Sequence, residues 1–224
     1  MICSSRKEKH QLPFKLLGIN GSPKKTVEKS NSFYLLKTAL NSAESSGTQT
    51  TLCNLSEYDL IQCNGCEVCT TKPCPLDKQD DYSKLEELIL NHQGILISSP
   101  SYWTGPPGIL KNVIDRSRDN KMPDQLWAGK IFSAIAVSGL RVGGQETTIN
   151  LLINFALGHG MIIVGGVGHP WFNAPFPMGT MMYDIIDEGK SKVKFRSVRK
   201  DPIATKDAEV LGQRLASIGN KLFP

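Results

Sequence analysis

The sequence predicts a three-layer α/β fold built on a five-stranded parallel sheet in the order 2-1-3-4-5. Two observations predict it. Short apolar runs alternate with amphipathic helical stretches along the chain, the pattern that lays helices on both faces of a parallel sheet. Polar loops rich in glycine and serine follow three of those runs, and ligands of open α/β sheets bind at such loops, outside the carboxyl ends of the strands. A length of 224 residues suits one domain with a sizeable core and leaves little room for two.

The first strand is the apolar run from Phe14 to Asn20, ending at Gly21-Ser22-Pro23. Ser30, Asn31 and Ser32 are helix-starting residues. The helix they open has an apolar face of Phe33, Leu36, Leu40 and Ala43, and Gly47 stops it. Thr48 to Leu55 is rich in strand-forming residues. Tyr82 to Asn91 reads as a helix with Leu85, Leu88 and Ile89 inward, and Gly94 to Ser98 as a buried strand. Pro106-Pro107 opens a helix to about Arg118, because proline suits a first helical turn. Lys130 to Val137 is the fourth strand, Gln145 to Leu157 a helix, and Met161 to Val164 starts the fifth strand. His169 to Pro202, rich in aromatic residues, proline and glycine, is an excursion before a closing amphipathic helix from Ala204 to Leu222.

With 40% hydrophobic and 21% charged residues the composition is that of a globular protein. A net charge of +5 permits an anionic ligand or an acidic partner, and does not by itself argue for nucleic acid. No apolar run approaches the ~18 residues of a membrane span. Residues 1–12 form a polar arm without the apolar centre of a signal peptide, so cytoplasmic residence is expected. The domain is read as 13–224, with a cysteine-rich insertion at 61–81.

Three loops carry the chemistry. In Gly21 to Ser32, Ser22, Lys24, Ser30, Asn31 and Ser32 meet a helix N-terminus, where unpaired N–H groups and the helix dipole favour an anion. The loop lacks both G-x4-G-K-[ST] and G-x-G-x-x-G, so a monophosphate suits it better than a triphosphate or pyrophosphate; ordinary cap and turn chemistry is the plainer reading. In the second loop Pro100, Ser101, Tyr102, Trp103, Thr104 and Gly105 offer a wall for a planar ligand, or aromatics that pack at a surface. The third holds Ser138, Gly139, Gly143 and Gly144, whose backbone can approach a ligand closely, and Gln145 and Glu146, which begin a helix. Arg141 either faces a ring that gains negative charge or is a solvated loop residue.

Cys63, Cys66, Cys69 and Cys74 stand in a C-x2-C-x2-C-x4-C run. In a chain read as reduced and cytosolic, such a run signals metal or redox chemistry rather than disulfides. An iron–sulfur cluster, a structural zinc ion and free thiols all stay open. The compact run resembles ferredoxin spacing more than the paired, well-separated knuckles of zinc sites. Cys53 reads as a small buried hydrophobe. The four histidines are scattered and no Ser-His-Asp arrangement appears, so no catalytic side chain is assigned.

Taken together, these segments resemble the NAD(P)H-dependent FMN reductases of flavodoxin-like fold, and within them the iron–sulfur flavoproteins. The resemblance rests on Gly21 to Lys24 with Ser30 to Ser32, and on Cys63 to Asp81. It rests also on Ser99 to Gly105 followed by Leu110-Lys111 and Ile114-Asp115-Arg116, and on Gly143 to Glu146. It implies FMN, with its phosphate on Ser22, Lys24, Ser30, Asn31 and Ser32 and its ring between 100–105 and 138–146. It also implies a [4Fe–4S] cluster on the four cysteines, assembly as a homodimer or homotetramer, and electrons passing from NAD(P)H or ferredoxin to a small-molecule or protein acceptor. The other readings are a flavodoxin-type carrier without turnover of its own, and a zinc-knuckle nucleic-acid binder that the helix–strand plan disfavours. Lys111, Asp115 and Arg116 match the family's helix signature, or serve only as ion pairs between helix turns. Lys190, Lys192, Lys194 and Arg196 share a face if their segment is extended, either as a lysine-protected edge or as a surface for NADPH or an acidic ferredoxin.

Overall fold

Lys-Leu-Leu-Gly-Ile-Asn is apolar in both alternating registers, and the strand it forms, β1 (Lys15–Asn20), is accordingly buried on both faces. The computed structural model describes residues 14–122, 124–167, 174–181 and 197–224, together with the backbone of 183–186 and 192–195. The polar arm, His169, Lys190 and Arg196 lie outside the described residues. After β1 come α1 (Asn31–Glu44), β2 (Gln49–Asn54), α2 (Tyr82–Leu90), β3 (Gly94–Pro100), α3 (Gly108–Arg116), α4 (Arg118–Lys121) and β4 (Ile131–Ser138). The chain continues through α5 (Gln145–Gly158), β5 (Ile162–Ile163), β6 (Met178–Thr180), β7 (Tyr183–Ile186) and β8 (Lys192–Phe195) to α6 (Pro202–Leu222).

The sheet order is β2-β1-β3-β4-β5 and every pairing in it is parallel. Ile19 stands opposite Cys53 on one side and Ile97 on the other. Side chains alternate between two cores. Leu17, Ile19, Ile97 and Ala134 pack with Leu85, Ile89, Val113, Ile149 and Leu152, from α2, α3 and α5. Leu16, Leu96 and Ile135 pack with Leu36, Leu40, Leu211 and Leu215, from α1 and α6. Three layers follow from that alternation. Cys53 is buried as expected, and burial pushes its thiol up to about 11.

Several boundaries and faces depart from the sequence reading. The fifth strand position is filled in two pieces: β5 pairs with Ile131 and Phe132, and β6 pairs with Ala136 to Ser138 farther along β4. Between them the Gly166 N–H donates to Pro175 O. The buried face of α1 centres on Leu35, Leu36, Ala39, Leu40 and Ala43, with Phe33 only half-buried, because α1 is covered by α6 as well as by the sheet. The helix after Pro107 breaks at Ser117. The last helix begins earlier than expected, at Pro202, where the Asp201 carboxylate accepts the Ala204 N–H and proline occupies the first turn. The excursion contains the antiparallel pair β7–β8, so Lys192 and Lys194 do sit on extended backbone, two residues apart on one face.

Candidate functional site

The carboxyl ends of β1, β3 and β4 lie side by side because β1 and β4 flank β3, and the three loops that leave them meet there. A cavity of about 120 Å3 receives Ser22, Lys24 and Ser30 to Ser32 from the first loop, Pro100 to Tyr102 from the second, and Ser138 and Gly139 from the third. Val137 and Met181 complete it, and the sequence reading named neither as a site residue. A second cavity of about 370 Å3 is lined by Arg141, Gly144, Gln145 and Glu146, with Met178 and Thr180 from the β6 region. Trp103, Thr104, Gly105 and Gly143 line neither of these two.

The first loop is organised by one buried amide. Asn20 Oδ1 accepts the Ser22 N–H at 3.3 Å and the Ser32 hydroxyl at 3.1 Å, while Asn20 Nδ2 donates to Asn54 Oδ1. Ser22 Oγ accepts the Lys24 N–H, and Ser30 Oγ caps α1 by accepting the Phe33 N–H. The Ser30 and Ser32 hydroxyls are 3.0 Å apart. Hydroxyls are thereby gathered at the N-terminus of a 14-residue helix, an environment that favours an anion. Asn31 is turned partly elsewhere: its Oδ1 accepts from Ser197 Oγ and Val198 N–H. The same contact brings Arg199 beside the loop, where Nη2 donates to Glu28 O and the guanidinium lies 4.9 Å over the Tyr34 ring. That cation is 171 residues from its partner, and no local spacing announces it.

The second loop is a two-residue turn. Tyr102 and Gly105 exchange backbone hydrogen bonds of 2.8 and 3.1 Å, and Trp103 and Thr104 between them have φ of 50° and 66°. Hairpin turns of this hand prefer glycine or asparagine. Side-chained residues there cost on the order of 1 kcal/mol each. Trp103 is 100% exposed, so no packing within the described chain offsets that strain. Tyr102, Leu140 and Val142 are exposed near it in sequence or on the adjoining loop.

The third loop is stapled by Gln145, whose Oε1 accepts the Gly143 N–H while Nε2 donates to Leu140 O at 3.0 Å. Gln145 is buried, so it shapes the loop. Ser101 Oγ donates to Gly143 O, and Thr148 Oγ1 donates to Ser101 Oγ, tying the second loop to the third. Gly144 has φ +85°, and a Cβ there would stand 2.4 Å from Thr104 Cα. Only glycine fits both the backbone angle and the contact.

The cysteine segment has little regular structure beyond a single turn of helix at Val68–Thr70. Its base is closed: the Asp81 N–H donates to Asp59 O, the Asp59 N–H to Asp81 Oδ2, and the Ile61 N–H to Asp80 Oδ2. The thiols are free, Cys66 exposed and Cys63, Cys69 and Cys74 half-buried. Burial pushes the Cys69 and Cys74 thiols up. Asp119 adds to the effect at Cys69, as do the thiols of Cys74 and Cys63. Among the described residues no three His, Cys, Asp or Glu side chains are placed to share one metal ion. A cluster makes a different demand, since its own iron and sulfide hold the thiolates apart. Four unpaired thiols in one closed loop are the donor set that a cluster takes. Lys111 pairs with Asp115 at 2.5 Å, as expected, but Arg116 turns inward to Asp77 and Asp80.

Residues 14–171 match the family model described as NADPH-dependent FMN reductase. An iron-sulfur flavoprotein of Archaeoglobus fulgidus is 34% identical over 91% of this chain and 94% of its own. An iron-sulfur flavoprotein of Methanocaldococcus jannaschii is 34% identical over 91% of this chain and 96% of its own. Among solved structures, a flavodoxin, WrbA-like protein from Agrobacterium tumefaciens superposes with a TM-score of 0.57 at 15% identity, covering 94% of this chain and 99% of that one. The flavodoxin-like fold is thus shared with proteins of quite different sequence. Among the described residues no helix is long and apolar enough to cross a membrane.

Proposed function

The chain belongs to the NADPH-dependent FMN reductase family, whose members are flavin-dependent oxidoreductases, and we propose that it takes electrons from NAD(P)H or ferredoxin and passes them to an acceptor by way of a cluster on its cysteine segment. The observation that carries the reading is the meeting of three loops at the carboxyl ends of β1, β3 and β4, with an anion-favouring helix end on one side and an uncovered aromatic turn on the other.

In this reading Ser22, Lys24, Ser30 and Ser32 hold the FMN phosphate. Asn20 Oδ1 fixes the Ser22 N–H and the Ser32 hydroxyl, and Ser30 Oγ caps α1, so the loop is shaped before the anion arrives; the Ser30 and Ser32 protons, held by Ser32 and Asn20 beforehand, turn to the anion on binding. Asn31 contributes its amide nitrogen, since its oxygen is engaged. Tyr102 and the strained Trp103–Thr104 turn supply one wall for the ring; Gly139, Gly143 and Gly144 supply the other through backbone groups that Gln145 holds in place. Bound FMN supplies the hydride and single-electron chemistry, which leaves the chain to bind, orient and exclude water. No side chain is assigned as acid or base.

Cys63, Cys66, Cys69 and Cys74 would hold a [4Fe–4S] cluster, which would supply a single-electron relay beside the flavin site. The supporting observation is the closed loop of free thiols, matched by relatives that carry the iron-sulfur flavoprotein name. Anaerobically purified holoprotein decides the reading. Expected are the two visible bands of an oxidised flavin, a broad iron–sulfur shoulder, and bleaching of both on adding NADPH or reduced ferredoxin. Protein from flavin-replete cells that is colourless and takes up no added FMN would refute it; flavin that NADPH leaves oxidised and that a partner protein reduces without steady turnover would make the chain a carrier.

A further inference from the structure

We infer that Asn112 and Arg116, one helical turn apart on α3, are positioning residues that assemble the cysteine segment before any cluster enters it. The inference rests on the proposed cluster site, and concerns how the chain itself shapes that site. Residues four apart on a helix share a face. Here that face is turned to both ends of the segment at once. At the entry, Asn112 Nδ2 donates to Leu60 O at 3.3 Å and Ile61 O at 3.0 Å, and its Oδ1 accepts the Cys63 N–H at 2.9 Å. The first cysteine is therefore held through its own backbone by a side chain of α3.

Arg116 joins entry to exit. Its Nη1 donates to Ile61 O at 2.9 Å and to Asp80 Oδ2 at 2.5 Å; Nη2 donates to Asp77 Oδ1 at 2.6 Å. The Arg116 side chain is 1% exposed and that of Asp80 0%. Asp80 in turn accepts the N–H groups of Ile61 and Tyr82, and the guanidinium lies 4.5 Å over the Tyr82 ring. The acceptors that its two Nη groups bond, Ile61 O, Asp80 and Asp77, all belong to the cysteine segment or its closing residues. A buried ion pair adds little stability over apolar packing of the same volume. Its planar fork does specify geometry, because several acceptors must stand where its N–H groups point. The segment carries almost no apolar core of its own, Val68 being exposed and Cys66 likewise, so this clamp is what orders it.

Ordering a free loop costs conformational entropy, which the incoming cluster does not bear if the chain has ordered the loop already. The same helix begins directly after the second loop, with Pro107 at its N-cap.

The test uses full-length wild type, Arg116→Lys and Asn112→Ala. Each is stripped of metal under reducing conditions and digested briefly with protease, and cuts within 61–80 are mapped by mass spectrometry. Each is also reconstituted anaerobically with iron and sulfide; iron and sulfide per chain are counted, and cluster bleaching is timed in a chelator. Arg116→Lys keeps the charge and loses the fork. Expected are faster cuts within 61–80 in both metal-free variants, and cluster lifetimes shortened about tenfold, the usual loss when a partner of a metal ligand is removed, with FMN content unchanged. If Arg116→Lys does not fold, Asn112→Ala decides alone. Wild-type cleavage and bleaching rates in the variants overturn the inference. Should wild type itself bind no iron and sulfide, the cluster reading fails, while the cleavage comparison still decides whether α3 orders the segment.

Discussion

Replacing Gly144 by alanine tests whether the second and third loops must touch for the site to exist. The substitution has two separable costs. An alanine at φ +85° is left-handed, which costs about 1–2 kcal/mol. Its Cβ would also stand 2.4 Å from Thr104 Cα and 2.6 Å from Thr104 Cβ, so one backbone must move, at a further cost of about 1–3 kcal/mol. Gly47 is the control. Its φ is +82°, and a Cβ there would meet nothing within 4 Å, so Gly47→Ala carries the backbone cost alone. The difference between the variants is the loop contact, about 2 kcal/mol, or about 4–8 °C in melting temperature for a chain of this size. Thermal unfolding of the two metal-free, flavin-free variants measures it, and FMN titration followed by flavin fluorescence measures the consequence. Gly144→Ala should bind FMN more weakly than wild type, and Gly47→Ala equally well. Equal melting losses, or unchanged FMN affinity in Gly144→Ala, would show that Thr104 and Gly144 need not meet.

Other outcomes follow from the same geometry. Trp103→Gly relieves the left-handed strain at φ 50° and should raise the stability of the flavin-free protein by up to about 1 kcal/mol. It should also speed loss of FMN, and a tightly held flavin in this variant would remove Trp103 from the site. Ser30→Ala deletes the cap on the Phe33 N–H, costing about 1 kcal/mol of stability. Its effect on FMN affinity should be larger, because the hydroxyl is also an anion donor. His159 is buried against Trp127, its Nε2 2.9 Å from Ser117 Oγ, and burial, with Lys121 adding to it, lowers its pKa from 6.5 to about 4. The unfolded chain therefore takes up the proton first. That contribution to stability is complete above pH 6.5 and is lost as pH falls toward 4. His159→Gln should flatten the pH dependence of the unfolding midpoint in that window, and an unchanged slope would count against it.

Much of the architecture was legible because it is written locally. Apolar runs with polar loops behind them mark β1, β3 and β4, since a parallel strand covered on both faces has no polar side to show. Ser30 and Gly47 mark the ends of α1 through cap chemistry that acts over three or four residues. The sheet order then brings the three serine- and glycine-bearing loops to one edge. The cysteine run was equally plain, because its information is spacing along the chain.

What the tertiary structure alone decided depends on residues far apart in sequence. The fifth strand position is shared by β5 and β6, separated by a loop, and neither piece is long enough to show a period. Trp103 reads in sequence as a wall residue or a surface aromatic, and only the fold shows that it stands in a left-handed turn, because Tyr102 and Gly105 pair across it. Arg116 looks like a partner for its own helix; folding buries it against Asp77 and Asp80, 39 and 36 residues away. Patterns of period two and 3.6 report which face of an element is apolar. They carry no record of which distant polar group a buried charge will meet, since that choice is made only when α3 and the cysteine segment are brought together.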